Sequence, residues 1–494
     1  MGEESISKSE IIYTDVSKEN VIKSLIWKFL ERGGVQGIQF VLQIILARLL
    51  CPEDYGVLSI LVAFIAVANI FVQGGLNTAL IQKKDSDALD FSTVFWITIL
   101  FSTVLYFVLF FLAPTIARFY NNNVLVPILR VLSLTLFFGA LNSVQYAMVS
   151  KTMKFKRFFF SSMGGVVGSG ILGIVFAYLG YGVWALVIQQ LANNLLISLI
   201  LWFTVKWRPK IAFSFKRIKK LYNFGWKILV ANFLSTIYMQ CYSLIIGKFF
   251  SASDLGLYSR GRQFPNVITN SIDGSIQSVM MPTFSARNCD KEKLKQVLRK
   301  SISYSCYILF PIMFGMAAVS KPLVTILLTE KWSGCIIFLQ LGCFYFAFWP
   351  IHSNNITAIN ALGRSDISLK LEIIKKLLIV IEWLITIRFG LVVVAIGQVV
   401  ETIVSIFINA FPNKKLLNYS IFELLKDIIP SLSLSGMMGI IVWSLNFFVQ
   451  NNYILLFIQI LLGIFIYIAL SKFFKIKCFN EILLVLKKKI GYKK

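Results

Sequence analysis

The sequence predicts an all-α polytopic membrane protein with about fourteen transmembrane helices: two parallel-repeat six-helix lobes around a central cavity, plus two C-terminal helices. Three observations predict this architecture. The 494 residues are 57% hydrophobic and only 15% charged, and long apolar runs recur from end to end. Basic residues concentrate in alternate loops. A short phrase near residue 51 also returns 200 positions later, which indicates an internal duplication.

The fourteen predicted spans follow from the length of helix that a bilayer requires. Crossing the hydrocarbon takes roughly 20 apolar residues. Spans five and six are separated only by "LGYGV", and spans eleven and twelve only by "RFGLV", where glycine supplies the turn. The predicted spans centre near residues 38, 70, 104, 136, 170, 194, 238, 272, 312, 346, 380, 401, 437 and 463.

Loop charge predicts the orientation of these spans. Lysine and arginine are abundant after the even-numbered spans, as in "WRPKIAFSFKRIKKLYN" after span six, whereas "CPEDY", "LGYG" and "VQNNY" carry none. Because cytoplasmic loops carry the excess of basic residues, we expect both termini to be cytoplasmic. The same asymmetry accounts for the net charge of +26, so we expect no nucleic-acid partner.

The spans and the charged loops divide the chain into six predicted regions. No loop exceeds about 20 residues, which leaves no room for an extramembrane catalytic domain. The regions are a cytoplasmic tail (1–20), an N-terminal six-helix lobe (21–206), a basic cytoplasmic linker (207–224), a C-terminal six-helix lobe (225–412), two additional helices (413–475) and a basic cytoplasmic tail (476–494).

The internal repeat fixes the relation between the lobes. "CPEDYGVLS" at residues 51–59 and "SASDLGLYS" at residues 251–259 place Asp, Gly and Ser at equal positions. Polar and glycine matches continue in order over about five spans. Since six spans, an even number, separate the copies, both have the same orientation, related by an axis along the membrane normal. The phrase itself predicts a turn between the first two helices of each lobe.

Polar residues follow one face of several predicted spans. Span one carries Arg32, Gln36 and Gln43, and span two carries Asn69, Gln73 and Asn77. Span eight carries the longest series, and span seven adds Asn232, Thr236 and Gln240. Such amides either hydrogen-bond helices together or line a water-filled cavity, and the matched series favours a cavity. The span-eight series is Arg262, Asn266, Asn270, Asp273 and Gln277.

These residue types suit a phosphorylated sugar ligand. Amides and hydroxyls match sugar hydroxyls, and the guanidinium fork of arginine matches phosphate oxygens. The candidate substrate-binding residues are therefore Arg32, Gln36, Gln43, Asn69, Gln73, Asn77, Arg260, Arg262, Asn266, Asn270 and Gln277.

Acidic residues within spans are candidates for ion coupling. Asp273 lies on the polar face of span eight, and Glu401 lies in span twelve, so either could couple transport to a proton or sodium gradient. We expect no other cofactor. The seven cysteines show no CxxC or Cys/His spacing, so we expect no metal site. His352, the one histidine, is predicted to pack between helices or line the cavity rather than to catalyse a reaction.

Several motifs resemble one transporter family. "RLLCPEDYGVLS", "GGLNTALIQKKD", "LAPTIARFYNN", "SKTMKFKRF", "DLGLYSRGRQ" and "ALGRSDI" look like those of the polysaccharide transporter branch of the multidrug/oligosaccharidyl-lipid/polysaccharide exporter superfamily, nearest the lipopolysaccharide, colanic-acid and teichuronic-acid type of Wzx-like flippases. The resemblance covers nearly the whole chain. Arg260 falls at the arginine of the family's "LYSRA" phrase, whereas Arg262 replaces the aromatic residue that is usual two places later.

The resemblance implies a flippase of the bacterial inner membrane. It would move undecaprenyl-diphosphate-linked oligosaccharide repeat units by alternating access, with lumen arginines such as Arg32, Arg260 and Arg262 at the diphosphate. Expected partners are the lipid-linked glycan and membrane lipids, with a polysaccharide polymerase and glycosyltransferases as further candidates. The alternatives are a multidrug/cation antiporter of the same superfamily and, from another class, a membrane polysaccharide polymerase. We expect a transporter rather than an enzyme, because paired acids and a sizeable exposed loop are not visible in the sequence.

Overall fold

The structure, a computed structural model, describes residues 18–73, 75–83, 86–152, 155–285, 290–481 and 483–484. Helices account for nearly all of these residues, and no β-strand occurs among them. This confirms the predicted all-α class. The chain forms two compact units, Met1–Gly256 and Leu257–Lys494, so the division falls inside one long helix. The lobe boundary at residue 225, which comes from the sequence repeat, stays a prediction.

The first unit is built from long apolar helices with short connections. One of its core clusters contains Leu61, Leu129 and Leu136, which are fully buried. Helices α7 and α8 pack closely because Gly165 and Gly168 leave room for the side chains of α8. The helices are α1 (Lys18–Leu49), α2 (Pro52–Gln73), α3 (Leu76–Gln82), α4 (Ala88–Phe119), α5 (Leu125–Leu132), α6 (Thr135–Lys151), α7 (Phe155–Tyr178), α8 (Val183–Thr204), α9 (Phe215–Phe249) and the start of α10 (Ala252–Ser285).

The second unit contains most of α10 and the remaining helices. Within it α11 packs against α13, α14 and α17, while α17 pairs with α18. Short 3-10 turns lie at Glu330–Cys335, Ile387–Phe389 and Leu445–Phe447. The helices after α10 are α11 (Lys291–Ala318), α12 (Ser320–Leu328), α13 (Ile336–Ala347), α14 (Trp349–Ala361), α15 (Ser365–Thr386), α16 (Leu391–Leu417), α17 (Ile421–Ser444) and α18 (Asn452–Phe473).

Each of the fourteen predicted span centres falls in a helix. Within the described residues, eleven segments are long and apolar enough to cross a membrane, so the chain is a multi-pass membrane protein. The predicted spans outside these eleven correspond to α1, α10 and α15. Helix α1 is not among the eleven segments because its apolar part, Gly33–Leu49, is too short to meet the length required of a span. Helices α10 and α15 carry polar and charged residues, such as Asp273 on α10 and Glu372 and Lys375 on α15, which lower their hydropathy.

The repeated sequence phrase forms two equivalent helix starts. The Asp54 carboxylate accepts a hydrogen bond from the Cys51 amide at 3.0 Å, and Asp254 accepts one from the Ser251 amide at 3.2 Å. This confirms the predicted turn chemistry.

The two copies of the phrase also touch each other in the first unit. A Cβ on Gly56 would lie 1.7 Å from the carbonyl oxygen of Ala252, and a Cβ on Gly256 would lie 1.8 Å from that of Pro52. Only glycine permits this approach of two backbones.

The predicted linker is partly helical. Residues 205–214 are non-helical, and the Lys210 carbonyl accepts a hydrogen bond from the indole of Trp96 on α4 at 2.9 Å. From Phe215 onward the linker is the first part of α9. Arg217 pairs with Asp87 and Asp90 at the start of α4. The linker is therefore held against α4 by both backbone and charge.

Candidate functional site

Helix α10 holds Arg262 inside the second unit. The Arg262 guanidinium donates a hydrogen bond to the side-chain oxygen of Gln398 on α16, and its central carbon lies 4.3 Å from the ring centroid of Tyr345. The Tyr258 hydroxyl also bonds Gln398, at 2.9 Å. Arg262 is half-buried in this arrangement. An amide and aromatic faces thus stabilise its charge in an apolar setting.

Arg260 lies deeper than Arg262. Its side chain is 4% exposed, its guanidinium donates to Gln263, and its central carbon lies 5.6 Å from the ring centroid of Trp332. Arg260 and Arg262, two of the three arginines proposed for a diphosphate, therefore contact aromatic rings of the second unit. Arg262, the more exposed of the two, is the better placed to reach a ligand.

The next part of α10 presents an exposed polar face. The Asn270 amide donates to Asn266 at 2.8 Å, and Asn270 is exposed while Asn266 is half-buried. Ser271 and Ser275 are also exposed, and each hydroxyl donates to a backbone carbonyl four residues earlier. A run of exposed amides and hydroxyls on a membrane helix can hydrogen-bond a polar ligand, and it would be costly against lipid.

Asp273 and Gln277 belong to a hydrogen-bond network with α14. Ser353 donates to the Asp273 carboxylate at 2.6 Å, and the Gln277 amide donates to Ser353 at 3.0 Å. Thr357 donates to Gln277 at 2.8 Å. Asp273 is 8% exposed, and these contacts give its carboxylate neutral donors. A carboxylate in this setting can bind a proton or a small cation.

Glu401 lies at one side of a buried polar series on α16. Ser405 donates to the Glu401 carboxylate at 2.5 Å, Asn409 bonds the Nδ1 atom of His352 at 3.0 Å, and Asn413 donates to Asn355 at 2.6 Å. We call the α16 ladder the residues Gln398, Thr402, Ser405, Asn409 and Asn413, all of them buried.

The α16 ladder was missed at the sequence level. Its spacing of three or four residues is a usable signal, because it places all five side chains on one helical face. His352 contacts this ladder, so its predicted role in helix packing agrees with its position. Matching the two halves of the chain directed attention to α10 instead.

In the first unit, the candidate residues of α2 and α3 face α6. Gly139 makes room for Asn69 and Gln73, whose side-chain atoms would lie 3.1 and 2.8 Å from a Cβ at that position. Ser143 donates to Asn77 at 3.1 Å. Asn77 thus joins two helices by a hydrogen bond, and Asn69 packs against α6, whereas Gln73 is exposed.

The candidates on α1 are described in part. Gln36 is exposed and Gln43 is half-buried, while the side chain of Arg32 lies outside the described residues. Two buried amides on α6, Asn142 and Gln145, were not singled out from the sequence. Their spacing of three residues places them on one face, which was a weak signal.

The chemistry available in both units is hydrogen bonding and charge. No group of three or more His, Cys, Asp or Glu side chains that could hold a metal ion occurs among the described residues. The exposed groups of the polar faces described above are mostly amides and hydroxyls, which can donate and accept hydrogen bonds with a ligand. The arrangement therefore suits recognition of a polar molecule within a membrane protein.

Comparison with known proteins gives the family. A family model described as "Polysaccharide biosynthesis protein" matches residues 45–337, more than half of the chain. The succinoglycan biosynthesis transport protein ExoT of Rhizobium meliloti (strain 1021) is 25% identical over 318 residues, 64% of each chain. The lipopolysaccharide biosynthesis protein WzxC of Escherichia coli (strain K12) is 23% identical over 402 residues, 80% of this chain and 82% of WzxC.

A third relative and two solved structures extend the comparison. The teichuronic acid biosynthesis protein TuaB of Bacillus subtilis (strain 168) is 23% identical over 61% of this chain and 63% of TuaB. The chain thus spans less than two thirds of the length of ExoT and of TuaB. The lipid II flippase MurJ in an inward closed conformation has a TM-score of 0.72 at 17% identity, covering 92% of this chain and 98% of that one.

The other solved structure is an inward-facing multidrug resistance MATE transporter of the MOP superfamily. Its TM-score is 0.61 at 17% identity, with 78% of this chain and 96% of that one covered. At this identity both structures show the fold alone. The family model and the three relatives confirm the resemblance that the sequence motifs indicate. The chain is a multi-pass membrane protein that belongs to the polysaccharide biosynthesis protein family.

Proposed function

We propose that this protein is a flippase for lipid-linked oligosaccharides. It moves undecaprenyl-diphosphate-linked repeat units between the leaflets of the bacterial inner membrane by alternating access, with both termini in the cytoplasm. The flipped units feed the synthesis of a surface polysaccharide. A polysaccharide polymerase and glycosyltransferases are the partners that such a pathway requires.

The observation that carries the proposal is a polysaccharide-biosynthesis family match on a chain made almost wholly of membrane helices. The longest described segment between helices is residues 205–214. Chemistry on a soluble sugar donor normally needs a larger structure outside the membrane. The step of biosynthesis that remains for such a chain is passage across the bilayer.

The relatives support the same step. ExoT is named a transport protein of succinoglycan biosynthesis, and the MurJ structure is that of a lipid II flippase. The match to MurJ covers 92% of this chain, against 78% for the MATE transporter.

We assign substrate contacts to the polar faces of α1, α2 and α10. Exposed amides, of which Gln36, Gln73 and Asn270 are examples, bind sugar hydroxyls. In the second unit Arg262 is the contact that we assign to the diphosphate, because a guanidinium binds phosphate oxygens in pairs. In the first unit Arg32 is the candidate for the same role. Asp273 and Glu401 couple the movement to a proton or sodium gradient. The prenyl chain stays in lipid, since its transfer into a polar cavity would be costly.

A cell-based experiment tests the proposal. Cells that make the labelled lipid-linked oligosaccharide are converted to spheroplasts, and a membrane-impermeant glycosidase reports the fraction on the outer leaflet. We expect loss of this protein to leave the label protected, and plasmid-borne protein to restore cleavage. Equal cleavage with and without the protein would contradict the proposal, provided that no other flippase is present.

The second candidate is a multidrug/cation antiporter, which the MATE fold match favours. Such a transporter would depend on a buried acid such as Asp273. Ethidium efflux that is present in the native protein and lost in Asp273→Asn would support this alternative. No efflux in either form would leave the flippase as the better account.

A further inference from the structure

A cavity of about 850 Å³ opens in the second unit, apart from the polar faces described above. It lies where α11 and α15 begin and where α16 ends. Four cationic residues and five apolar ones line it. They are Lys291, Leu362, Arg364, Ile367, Phe411, Pro412, Lys414, Lys415 and Leu416.

The four cationic residues of this cavity differ in whether an acidic side chain pairs with them. Arg364 pairs with Asp366 at 2.9 Å, and this hydrogen bond lowers the pKa of the Asp366 carboxyl to about 2. Among the described residues, Lys291, Lys414 and Lys415 form no ion pair. All three are exposed. Their charge is therefore available to an external anion.

Three acids near the cavity are already paired with other cations. Glu423 pairs with Lys295 at 3.0 Å, and Asp427 pairs with Arg299 at 2.7 Å. Asp290 pairs with Lys293 at 2.9 Å. Neutralisation of the cavity lysines by Glu423, Asp427 or Asp290 would require these pairs to break.

Membrane topology alone accounts for part of this charge. Lys414 and Lys415 lie in the last turn of α16, where cations interact favourably with the helix dipole and with the basic side of the membrane. That explanation treats each helix separately. It does not explain why a cavity should form where Lys291 from α11 and Arg364 before α15 meet these two lysines.

The apolar half of the lining identifies the kind of ligand. Phe411 is 71% exposed beside Lys414, and Ile367 and Pro412 line the same cavity. Cations next to exposed apolar side chains fit a molecule with a phosphate head and a hydrocarbon tail. A free inorganic anion would gain nothing from the apolar half.

We propose that this cavity binds an anionic phospholipid of the leaflet that the sequence predicts to be cytoplasmic. Its phosphate contacts Lys291, Lys414 and Lys415, and the start of an acyl chain lies against Phe411 and Ile367. The ligand is a resident lipid rather than the transported one, because none of the nine lining residues belongs to the polar faces of α1, α2 or α10.

Two variants with equal loss of charge test the proposal. The cavity variant carries Lys291→Gln, Lys414→Gln and Lys415→Gln. The control carries Lys206→Gln, Lys216→Gln and Lys219→Gln, three exposed lysines of the first unit. Purified proteins are washed in neutral detergent, and native mass spectrometry counts the retained phosphatidylglycerol. Short-chain phosphatidylglycerol is then titrated to obtain the dissociation constant.

We expect the native protein and the control to retain one phosphatidylglycerol and the cavity variant to bind it at least about tenfold more weakly. Phe411→Ser, which removes no charge, should weaken binding of the lipid but not of inorganic phosphate. Equal retention by all proteins, equal loss in both lysine variants, or equal affinity for inorganic phosphate and lipid would each overturn the proposal. Unfolding temperatures in lipid-free detergent identify any variant that is misfolded. The outcome does not depend on the transport activity proposed above.

Discussion

At the scale of single residues, the guanidinium of Arg262 has two roles. It donates to Gln398 and lies over Tyr345, and it is also the candidate contact for a diphosphate. An arginine that binds its own unit through an amide and a ring keeps a fixed direction, which favours recognition of a phosphate group. Removal of Arg262 should therefore lower the stability of the fold as well as the affinity for the ligand.

We expect Arg262→Ala to lower the free energy of unfolding by about 2 kcal/mol, because a charged hydrogen bond and an aromatic contact are lost. Asn270→Ala, on the exposed face of the same helix, should change it by less than about 0.5 kcal/mol. Thermal unfolding in detergent measures both variants. An unfolding temperature that is unchanged in Arg262→Ala would show that the contacts with Gln398 and Tyr345 contribute little to stability.

Asp273→Asn separates the charge of this residue from its hydrogen bonds. Asparagine can still accept from Ser353, so we expect the free energy of unfolding to change by less than about 1 kcal/mol. Transport driven by a proton or sodium gradient should fall at least about tenfold if Asp273 binds the coupling ion. Glu401→Gln, which keeps the bond from Ser405, is the matched variant. If both variants retain gradient-driven transport, neither acid is required to couple transport to the ion gradient.

At the scale of elements, the starts of α2 and α10 form one close backbone contact. The clash distances at Gly56 and Gly256 involve backbone carbonyl oxygens, which cannot move aside as a flexible side chain would. The sequence identifies this pair as a repeated phrase with turn chemistry. Sequence could not show that the two copies meet, because the repeat fixes their equivalence and not their distance.

Gly56→Ala and Gly256→Ala should each lower the free energy of unfolding by about 3 kcal/mol, since the helix starts must separate. Gly274→Ala is the control, because a Cβ there meets nothing within 4 Å and alanine favours a helix. Unfolding temperature and yield of folded protein report the difference. Similar values for all three variants would mean that the two helix starts are not in close contact.

The start of α4 offers a second test at this scale. Burial raises the pKa of Asp87, but the hydrogen bonds from Arg217 and Asp90 and the charge of Arg217 together outweigh it, so the pKa lies below the ordinary 3.8. Asp87 is also the N-cap of α4 and accepts from the Asp90 amide at 2.9 Å. Its ionised form therefore stabilises both the helix and the linker.

Asp87→Asn keeps a capping oxygen and loses the ion pair, whereas Asp87→Ala loses both. We expect Asp87→Ala to be the less stable by about 1 kcal/mol. Because the folded pKa is lowered, the stabilisation by Asp87 is present above about pH 3.8 and is lost as the pH falls below it. Unfolding temperatures across this range should fall more steeply for the native protein than for Asp87→Asn. Parallel curves would exclude Asp87 as a source of acid sensitivity.

At the scale of the whole molecule, the fold was largely predictable and the candidate site only partly so. Every span centre predicted from the apolar runs falls in a helix, because the bilayer sets the length of a span. The shorter helices α3, α5, α12 and α14 were not predicted separately. Helical spacing placed Asn266, Asn270 and Asp273 on α10 correctly, but it does not say which neighbour a face contacts. The inward direction of Arg260 and the α16 ladder depend on packing between α10, α13 and α16, which the linear pattern does not encode.

The central claim is that this chain moves a lipid-linked glycan across a bilayer. The most direct measurement uses proteoliposomes that contain purified protein and an undecaprenyl-diphosphate oligosaccharide with a fluorescent sugar. A membrane-impermeant quencher, added outside, reports how fast label from the inner leaflet becomes accessible, and ethidium movement is followed in the same vesicles. We predict that the label becomes fully quenchable only with protein present, while ethidium does not move. Ethidium transport with half of the lipid label still protected would contradict the account.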